Sequence, residues 1–358
     1  MSSIEKFKIF YKKEKERIDF KLEEFNEKLL EEENDIIRQN LELFRNLNSN
    51  GKIIRGSLVH LGYYLLKDDL EYPTDLALAY EVFQTAILVH DDIIDNDNKR
   101  RGKDTIHFAN YEFYKKYCKN LEELKHFSNS IALCMGDYGL YCANQIIVNK
   151  YFQDSNFGRV LSNFNQTVLT TIRGELIDVI LPFQGKYDLI SFDQIEKQIL
   201  EIYRLKTSYY TIIGPLSVGL ILAGCCDEKL KDIEEFGEKV GIAFQIQDDI
   251  LGIYSDEMGK VKGSDIKEFK QTILYSYILN TEYREEFFNY YGKENISEDT
   301  IKKVQELFQI SSAYDYSIRF MNKMYDEALE KLEMISWIEE EKKDYLRGFV
   351  EYLRVRNK

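Results

Sequence analysis

Proline is nearly missing from this chain, with 3 in 358 residues. Proline lacks an N–H and clashes with the preceding helical turn, so helix interiors exclude it. Its scarcity, with no linker-like stretch rich in proline, glycine or serine, predicts an all-α protein without a domain boundary, one domain over residues 1–358. Positive charge is also short: the formal net charge of −14 argues against nucleic acid as a partner, because phosphates would be repelled. A diphosphate stays possible, since local cations or metals can reverse the sign within a cleft. The five cysteines, Cys118, Cys134, Cys142, Cys225 and Cys226, are odd in number and lack zinc-type spacing, as in a reduced intracellular protein. No run is long and apolar enough to predict a membrane span. Thr211–Cys226 comes nearest, but it is short and interrupted by Gly214, Pro215 and Gly219. It reads as a buried helix bent at Pro215. The first residues have neither an apolar signal core nor transit-peptide character, so a soluble, cytoplasmic protein is expected.

What is abundant is helical. Leu, Ile, Glu and Lys dominate, and 26 Tyr and 22 Phe supply a core that could line a long apolar cavity. Residues 4–47 read as charged amphipathic helix, broken at Asn48-Ser49-Asn50-Gly51. Helices follow near 53–66, 76–96 (with Asp75 as a possible cap), 104–118, 121–149, 156–181, 191–224, 228–252, 265–291, 297–309 and 312–356. There is no repeat, no parallel-strand pattern and no glycine-rich phosphate loop.

Three features carry chemistry. The first is Asp91-Asp92-Ile93-Ile94-Asp95, followed by Arg100-Arg101-Gly102. Asp91 and Asp95 share a helix face at i and i+4. Clustered carboxylates at the end of an apolar helix repel one another unless a cation sits among them. Oxygen-only donors suit magnesium, although an isolated DDxxD equally describes a solvated helix end. The second is Gln245-Ile246-Gln247-Asp248-Asp249, another acidic pair after apolar helix, which chance explains poorly. The third is basic: Gly51, Lys52 and Arg55, then Lys206-Thr207, Lys260 and Lys270. On a helix Lys52 and Arg55 would share a face and could grip a second anion.

Taken together, from Gly51 to about Thr272, these motifs resemble the trans-prenyltransferase family of farnesyl and geranylgeranyl diphosphate synthases. The matching elements are GKxxR (Gly51, Lys52, Arg55), ExxQ (Glu81, Gln84), DDxxD-x4-RRG, the Lys206-Thr207 pair and the second aspartate motif. The stretch from Gly259-Lys260 through Asp265-Ile266 to Lys270 also fits, as do Gly136-Asp137-Tyr138 and Gly174–Asp178. The resemblance implies a helical barrel around a deep cavity, with the two aspartate motifs facing each other at its mouth. It implies three magnesium ions on Asp91, Asp92 and Asp95 and on Asp248 and Asp249. Arg100, Lys206, Lys260 and Lys270 would assist at the allylic diphosphate (dimethylallyl, geranyl or farnesyl). Gly51, Lys52, Arg55, Gln84 and Arg101 would hold isopentenyl diphosphate without metal. Thr207 and Gln245 would offer partial negative charge to the allylic cation, in the order ionisation, condensation, elimination. A homodimer is also implied.

The second motif departs from the family by having Gly252 as its last position, and residues 1–50 and about 280–345 carry no usable motif. The basic ending Arg354–Lys358 resembles a tail that covers the isopentenyl site in some relatives. A terpene cyclase would not need Lys52, Arg55 and Arg101, and an inert partner subunit would have eroded aspartates. Product length is read from the residues before Asp91. Ala86 and Ile87 stand where fifteen-carbon synthases commonly carry aromatics, and the next large residue is Phe83. One helical turn, about 5.4 Å, leaves room for roughly one more isoprene unit. The expectation is geranylgeranyl diphosphate, with farnesyl or a longer product as the alternative.

Overall fold

A computed structural model describes residues 1–32, 34–49, 51–187, 189–255, 263–293 and 295–356, with 192 and 193 as backbone only. The first part of the chain forms α1 (Ser3–Leu29), α2 (Asp35–Asn48), α3 (Ile54–Tyr64) and α4 (Thr74–Ile94). The hairpin β1 (Lys99–Arg100) and β2 (Lys103–Asp104) follows, then α5 (Ile106–Tyr114), α6 (Leu121–Tyr151) and α7 (Phe157–Lys186). Next come α8 (Phe192–Ile202), a π-helix (Tyr203–Ile213), α9 (Gly214–Leu222) and α10 (Asp227–Tyr254). Short α11 (Ser264–Lys267), α12 (Ile273–Ile278) and α13 (Arg284–Phe287) lead to α14 (Glu298–Ile310), α15 (Ala313–Met334) and α16 (Glu340–Arg354).

Several boundaries differ from the sequence expectation, each for a local reason. Residues 4–47 split because the Asn34 side chain accepts from the Ile36 and Ile37 amides and starts α2 afresh. Asp75 lies in the first turn of α4 rather than capping it; Pro73 holds the cap position. The expected helix over 191–224 is three consecutive segments, with a π-helix directly upstream of Pro215. Pro215 sits in the first turn of α9, where a missing N–H costs little. Residues 265–291 form three short helices, because Phe269 adopts φ 58° and Thr272 caps a new start through the Tyr275 amide. Residues 312–356 divide after Met334.

The chain forms two compact units, each discontinuous in sequence. One comprises 9–162 and 218–225; the other comprises 1–8, 163–217 and 226–358. In the first, α4 lies so close to α6 that side chains are excluded at the crossing. A Cβ on Gly136 would fall 2.2 Å from His90 Nε2, and one on Gly139 2.7 Å from Phe44 Cζ and 2.9 Å from Ala86 Cβ. By length and apolarity alone α6 could cross a membrane; one of its faces packs against α4. In the second, α10 packs on the π-helix and α15. A Cβ on Gly241 of α10 would meet Ser208 Oγ at 2.3 Å. All five cysteines are unbridged.

Candidate active site

In the first unit, α4 ends at the aspartates. Asp92 is buried at 1% exposure, whereas Asp91 is about one-seventh exposed. Asp95 is half-buried at the helix end. The chain then turns back through a two-residue hairpin loop, with Arg101 at φ 53° and Gly102 at φ 76°. Two positive φ values in succession define the mirror-image turn that suits strand twist. This turn swings Arg100 onto the acidic cluster. Its Nε donates to Asp92 Oδ1 at 2.7 Å, and its Nη2 reaches Asp91 Oδ2 and Asp97 Oδ2, each at 3.3 Å. Burial, with Asp91 and Asp97 adding repulsion against the pull of Arg100, raises the Asp92 carboxyl to about 7. The charge of the three carboxylates raises the pKa of Arg100.

On the same unit lies the basic cluster. Lys52 is not on a helix as expected. Ile53 adopts a left-handed φ of 55° and caps α3, which starts at Ile54, so Lys52 projects from the preceding loop and Arg55 from the first turn. Arg101 belongs here: its Nη1 donates to Leu47 O at 3.1 Å and lies 3.4 Å from where a Gly51 Cβ would be. Beneath them Glu81, 3% exposed, accepts from the Gly56 amide at 2.7 Å. Burial raises its pKa, opposed by Arg55, Arg101 and Lys15. Gln84 is half-buried one turn further along α4. Phe83 and Ala86 have no exposed surface, Ala86 lying against Gly139 and Phe44, while Ile87 is half-buried on the Gln84 side of α4.

In the second unit the π-helix carries Lys206-Thr207. Extra residues per turn re-aim side chains, and such segments concentrate at functional sites. Lys206 Nζ pairs with Glu175 Oε2 at 2.8 Å and Asp178 Oδ2 at 2.7 Å on α7. Thr207 donates to Gln245 Oε1 at 2.5 Å, and Gln245 Nε2 donates to Asp249 Oδ1 at 2.9 Å. Asp249 also accepts from the Tyr203 hydroxyl, and Lys270 Nζ stands 3.8 Å away. Burial lifts the Asp249 carboxyl to about 6. Asp265 and Asp249 raise the pKa of Lys270.

The two motif aspartates therefore differ. Asp249 is 3% exposed and orients Gln245, whereas Asp248 is about one-quarter exposed and paired with Arg356. The Arg356 guanidinium also covers the Phe244 ring at 4.5 Å, and Gln247 Nε2 donates to its carbonyl at 2.8 Å. The tail thus lies on the second motif as far as Arg356. At Gly252, the departing position, a Cβ would come within 2.5 Å of Asp265 Oδ2, so a side chain there would require the Asp265 carboxylate to shift. The Asp265 carboxylate fills the space next to the position of the missing aspartate. Lys260 and Gly259 lie outside the described residues.

Among the described residues no three His, Cys, Asp or Glu side chains converge as metal ligands. The first motif still fits a hard divalent cation chemically. It offers only carboxylate oxygens, and Asp92 Oδ2 is buried without accepting a hydrogen bond.

The chain is similar to known proteins over most of its length. The polyprenyl synthetase family model matches residues 37–308. The short chain isoprenyl diphosphate synthase of Methanocaldococcus jannaschii is 29% identical, the match covering 75% of each chain. The geranylgeranyl diphosphate synthase of Sulfolobus acidocaldarius is 27% identical, over 80% of this chain and 82% of that one. Further relatives are named farnesyl and geranylfarnesyl diphosphate synthases. Geranylgeranyl pyrophosphate synthase from Corynebacterium glutamicum, crystallised with isoprenyl diphosphate and magnesium, superposes with a TM-score of 0.84. It is 24% identical, covering 97% of this chain and 98% of that one. The fold is the all-α isoprenoid synthase fold. The chain belongs to the polyprenyl synthetase family. Within it, the chain is a prenyl diphosphate synthase, a prenyltransferase acting on prenyl diphosphates.

Sequence reasoning missed Asp97, Tyr203 and the role of Asp265, and drew nothing from α1, whose Tyr11 and Lys15 reach the basic loop. A lone tyrosine or lysine on a charged helix carries no signal of its own.

Proposed function

We propose that this synthase makes geranylgeranyl diphosphate, depends on magnesium, and works as one polyprenyl synthase domain across residues 1–358. Asp91, Asp95 and Asp248 are the accessible carboxylates of the two motifs and would hold the metal, three ions per site, with Asp92 and Asp249 behind them. Magnesium, when bound, supplies positive charge that stabilises the departing allylic diphosphate. The observation that carries the reading is the chain Tyr203–Asp249–Gln245–Thr207. Because Gln245 donates to Asp249 and accepts from Thr207, its amide is fixed with oxygen toward the threonine. The oxygens of Gln245 and Thr207 then present partial negative charge to a developing allylic cation, and no side chain need act as general base. Lys206, Arg100, Lys260 and Lys270 assist at the allylic diphosphate. Before binding, Lys206 and Arg100 neutralise Glu175, Asp178 and the first motif, so substrate or metal must exchange with these pairs. Gly51, Lys52, Arg55, Gln84 and Arg101 receive isopentenyl diphosphate.

The twenty-carbon product rests on small Ala86 beside Gly139, with Phe83 one turn deeper and Ile87 alongside. The alternative products are farnesyl or longer diphosphates, in keeping with the relatives' varied names. A homodimer built on helix packing is supported by α7, where Leu169, Ile172, Leu176, Ile180 and Phe183 are all exposed and recur at helical spacing. We place the enzyme in the cytoplasm. Mass photometry tests the dimer, and incubation with isopentenyl diphosphate and each allylic primer, with magnesium or chelator, tests the activity. A magnesium-independent enzyme would refute the metal assignment.

A further inference from the structure

The isopentenyl site proposed above stands on a strained loop. Ile53 is fully buried, at 1% exposure, with φ 55°. For a β-branched residue that conformation is a true outlier, costing about 1–3 kcal/mol. It persists only where the surroundings over-determine it, and strain of this kind gathers at functional sites.

The surroundings here are supplied by α1. Tyr11 and Lys15, four residues apart, lie on one helix face. The Tyr11 hydroxyl donates to the Lys52 carbonyl, and Lys15 Nζ donates to the Gly51 carbonyl at 3.2 Å. Lys15 is itself steadied by Asp19 at 2.7 Å. One turn on, Ile18 meets the start of α3: a Cβ on Gly56 would be 3.0 Å from Ile18 Cδ1. Below that, Glu14 and His60 pair at 2.8 Å with neither side chain exposed. Helix α1 is therefore fixed to α3 independently of the loop, and its two donors hold successive carbonyls ahead of Ile53.

Resting on the assignment of Lys52, Arg55 and Arg101 to isopentenyl diphosphate, we infer that Tyr11 and Lys15 are positioning residues for that substrate. They clamp the Gly51 and Lys52 carbonyls so that the left-handed Ile53 aims Lys52 and Arg55 at one diphosphate. Lys15 also adds a cation beside Arg55 and Arg101, above the same buried Glu81.

The test is steady-state kinetics with each substrate varied in turn, on Tyr11→Phe, Lys15→Met and Lys15→Arg, with Lys52→Ala and Arg55→Ala as references. Tyr11→Phe removes a single oxygen and leaves the ring, so the fold is kept. Tyr11→Phe and Lys15→Met should each raise the KM for isopentenyl diphosphate about fivefold to tenfold, the scale of one lost hydrogen bond near charge. The allylic KM and kcat should stay within about twofold. Lys15→Arg should restore most of the affinity, and amide exchange across residues 51–53 should quicken in Tyr11→Phe. If the reference variants raise that KM while Tyr11→Phe and Lys15→Met do not, the clamp is wrong and the site stands. If the references leave it unchanged, the site assignment falls and the clamp with it. Equal effects on both substrates would also overturn the clamp, leaving α1 a merely structural element.

Discussion

Replacing Arg100 by glutamine should unmask the charge stored in the first aspartate motif. Arg100 is 13% exposed and contacts Asp91, Asp92 and Asp97, with Asp92 only 1% exposed. Removing one partner of a buried ion pair costs about 3–5 kcal/mol, because the remaining charge is left uncompensated. Here the lower end applies, since burial already lifts Asp92 to about 7 and a lone Asp92 would take up a proton at neutral pH. At roughly 2.1 cal/mol/K per residue, 358 residues carry an unfolding entropy of about 0.75 kcal/mol/K. A loss of about 3 kcal/mol therefore lowers the melting temperature by about 4 °C. Calorimetry of Arg100→Gln in chelator should show that drop. Excess magnesium should recover much of it, because a cation bound by the folded state alone stabilises by mass action. An equal loss with and without magnesium would refute the reasoning: the arginine would then be holding the hairpin rather than neutralising a metal site.

Other expectations follow from the same geometry. Asp91→Ala and Asp248→Ala should lower kcat by at least about 10²–10³-fold with the fold intact, whereas Asp249→Ala should also lower the melting temperature, because it strands Tyr203 and Gln245; circular dichroism beside kinetics separates them. Ala86→Phe should shift product toward farnesyl diphosphate and Phe83→Ala should lengthen it, read by product chromatography; because Ala86 backs onto Gly139 and Phe44, the former should also cost about 1–3 kcal/mol through overpacking. Burial lowers the His60 pKa against the pull of Glu14, so the folded protein keeps the ring neutral while the unfolded chain binds a proton below pH 6.5. His60 alone should therefore destabilise the fold increasingly as pH drops below about 6.5, by up to about 1.4 kcal/mol per unit, while Asp92 and Asp249, raised to about 7 and about 6, act in the opposite sense; the difference between wild type and His60→Gln in denaturant titrations isolates the histidine slope.

The long elements were legible because their apolar periodicity is unbroken by proline: α6 and α10 lie within a few residues of their expected bounds. The aspartates, Lys206-Thr207 and Gly51–Arg55 were legible as motifs. Conformations set by tertiary contact were not. The π-helix at Tyr203–Ile213 has no compositional mark, because its extra residue per turn is enforced by packing against α10 and α7, where Gly241 and Gly174 admit it. Residues 265–291 looked like continuous helix, yet Phe269, Tyr275, Phe287 and Tyr291 close into one ring cluster, with Phe287 and Tyr291 stacked at 4.5 Å. That burial outweighs the gain from continuing the helix. Ile53 is the sharpest case, since nothing in its side chain announces a left-handed backbone. Gly252 was legible only as a missing aspartate until Asp265 was seen beside it.

The central claim is tested most directly by giving the purified protein magnesium, labelled isopentenyl diphosphate and farnesyl diphosphate, and resolving the products by chain length. The account predicts a single addition that stops at twenty carbons and is abolished by chelator. Failure to extend farnesyl diphosphate, or steady elongation well past twenty carbons, would contradict it.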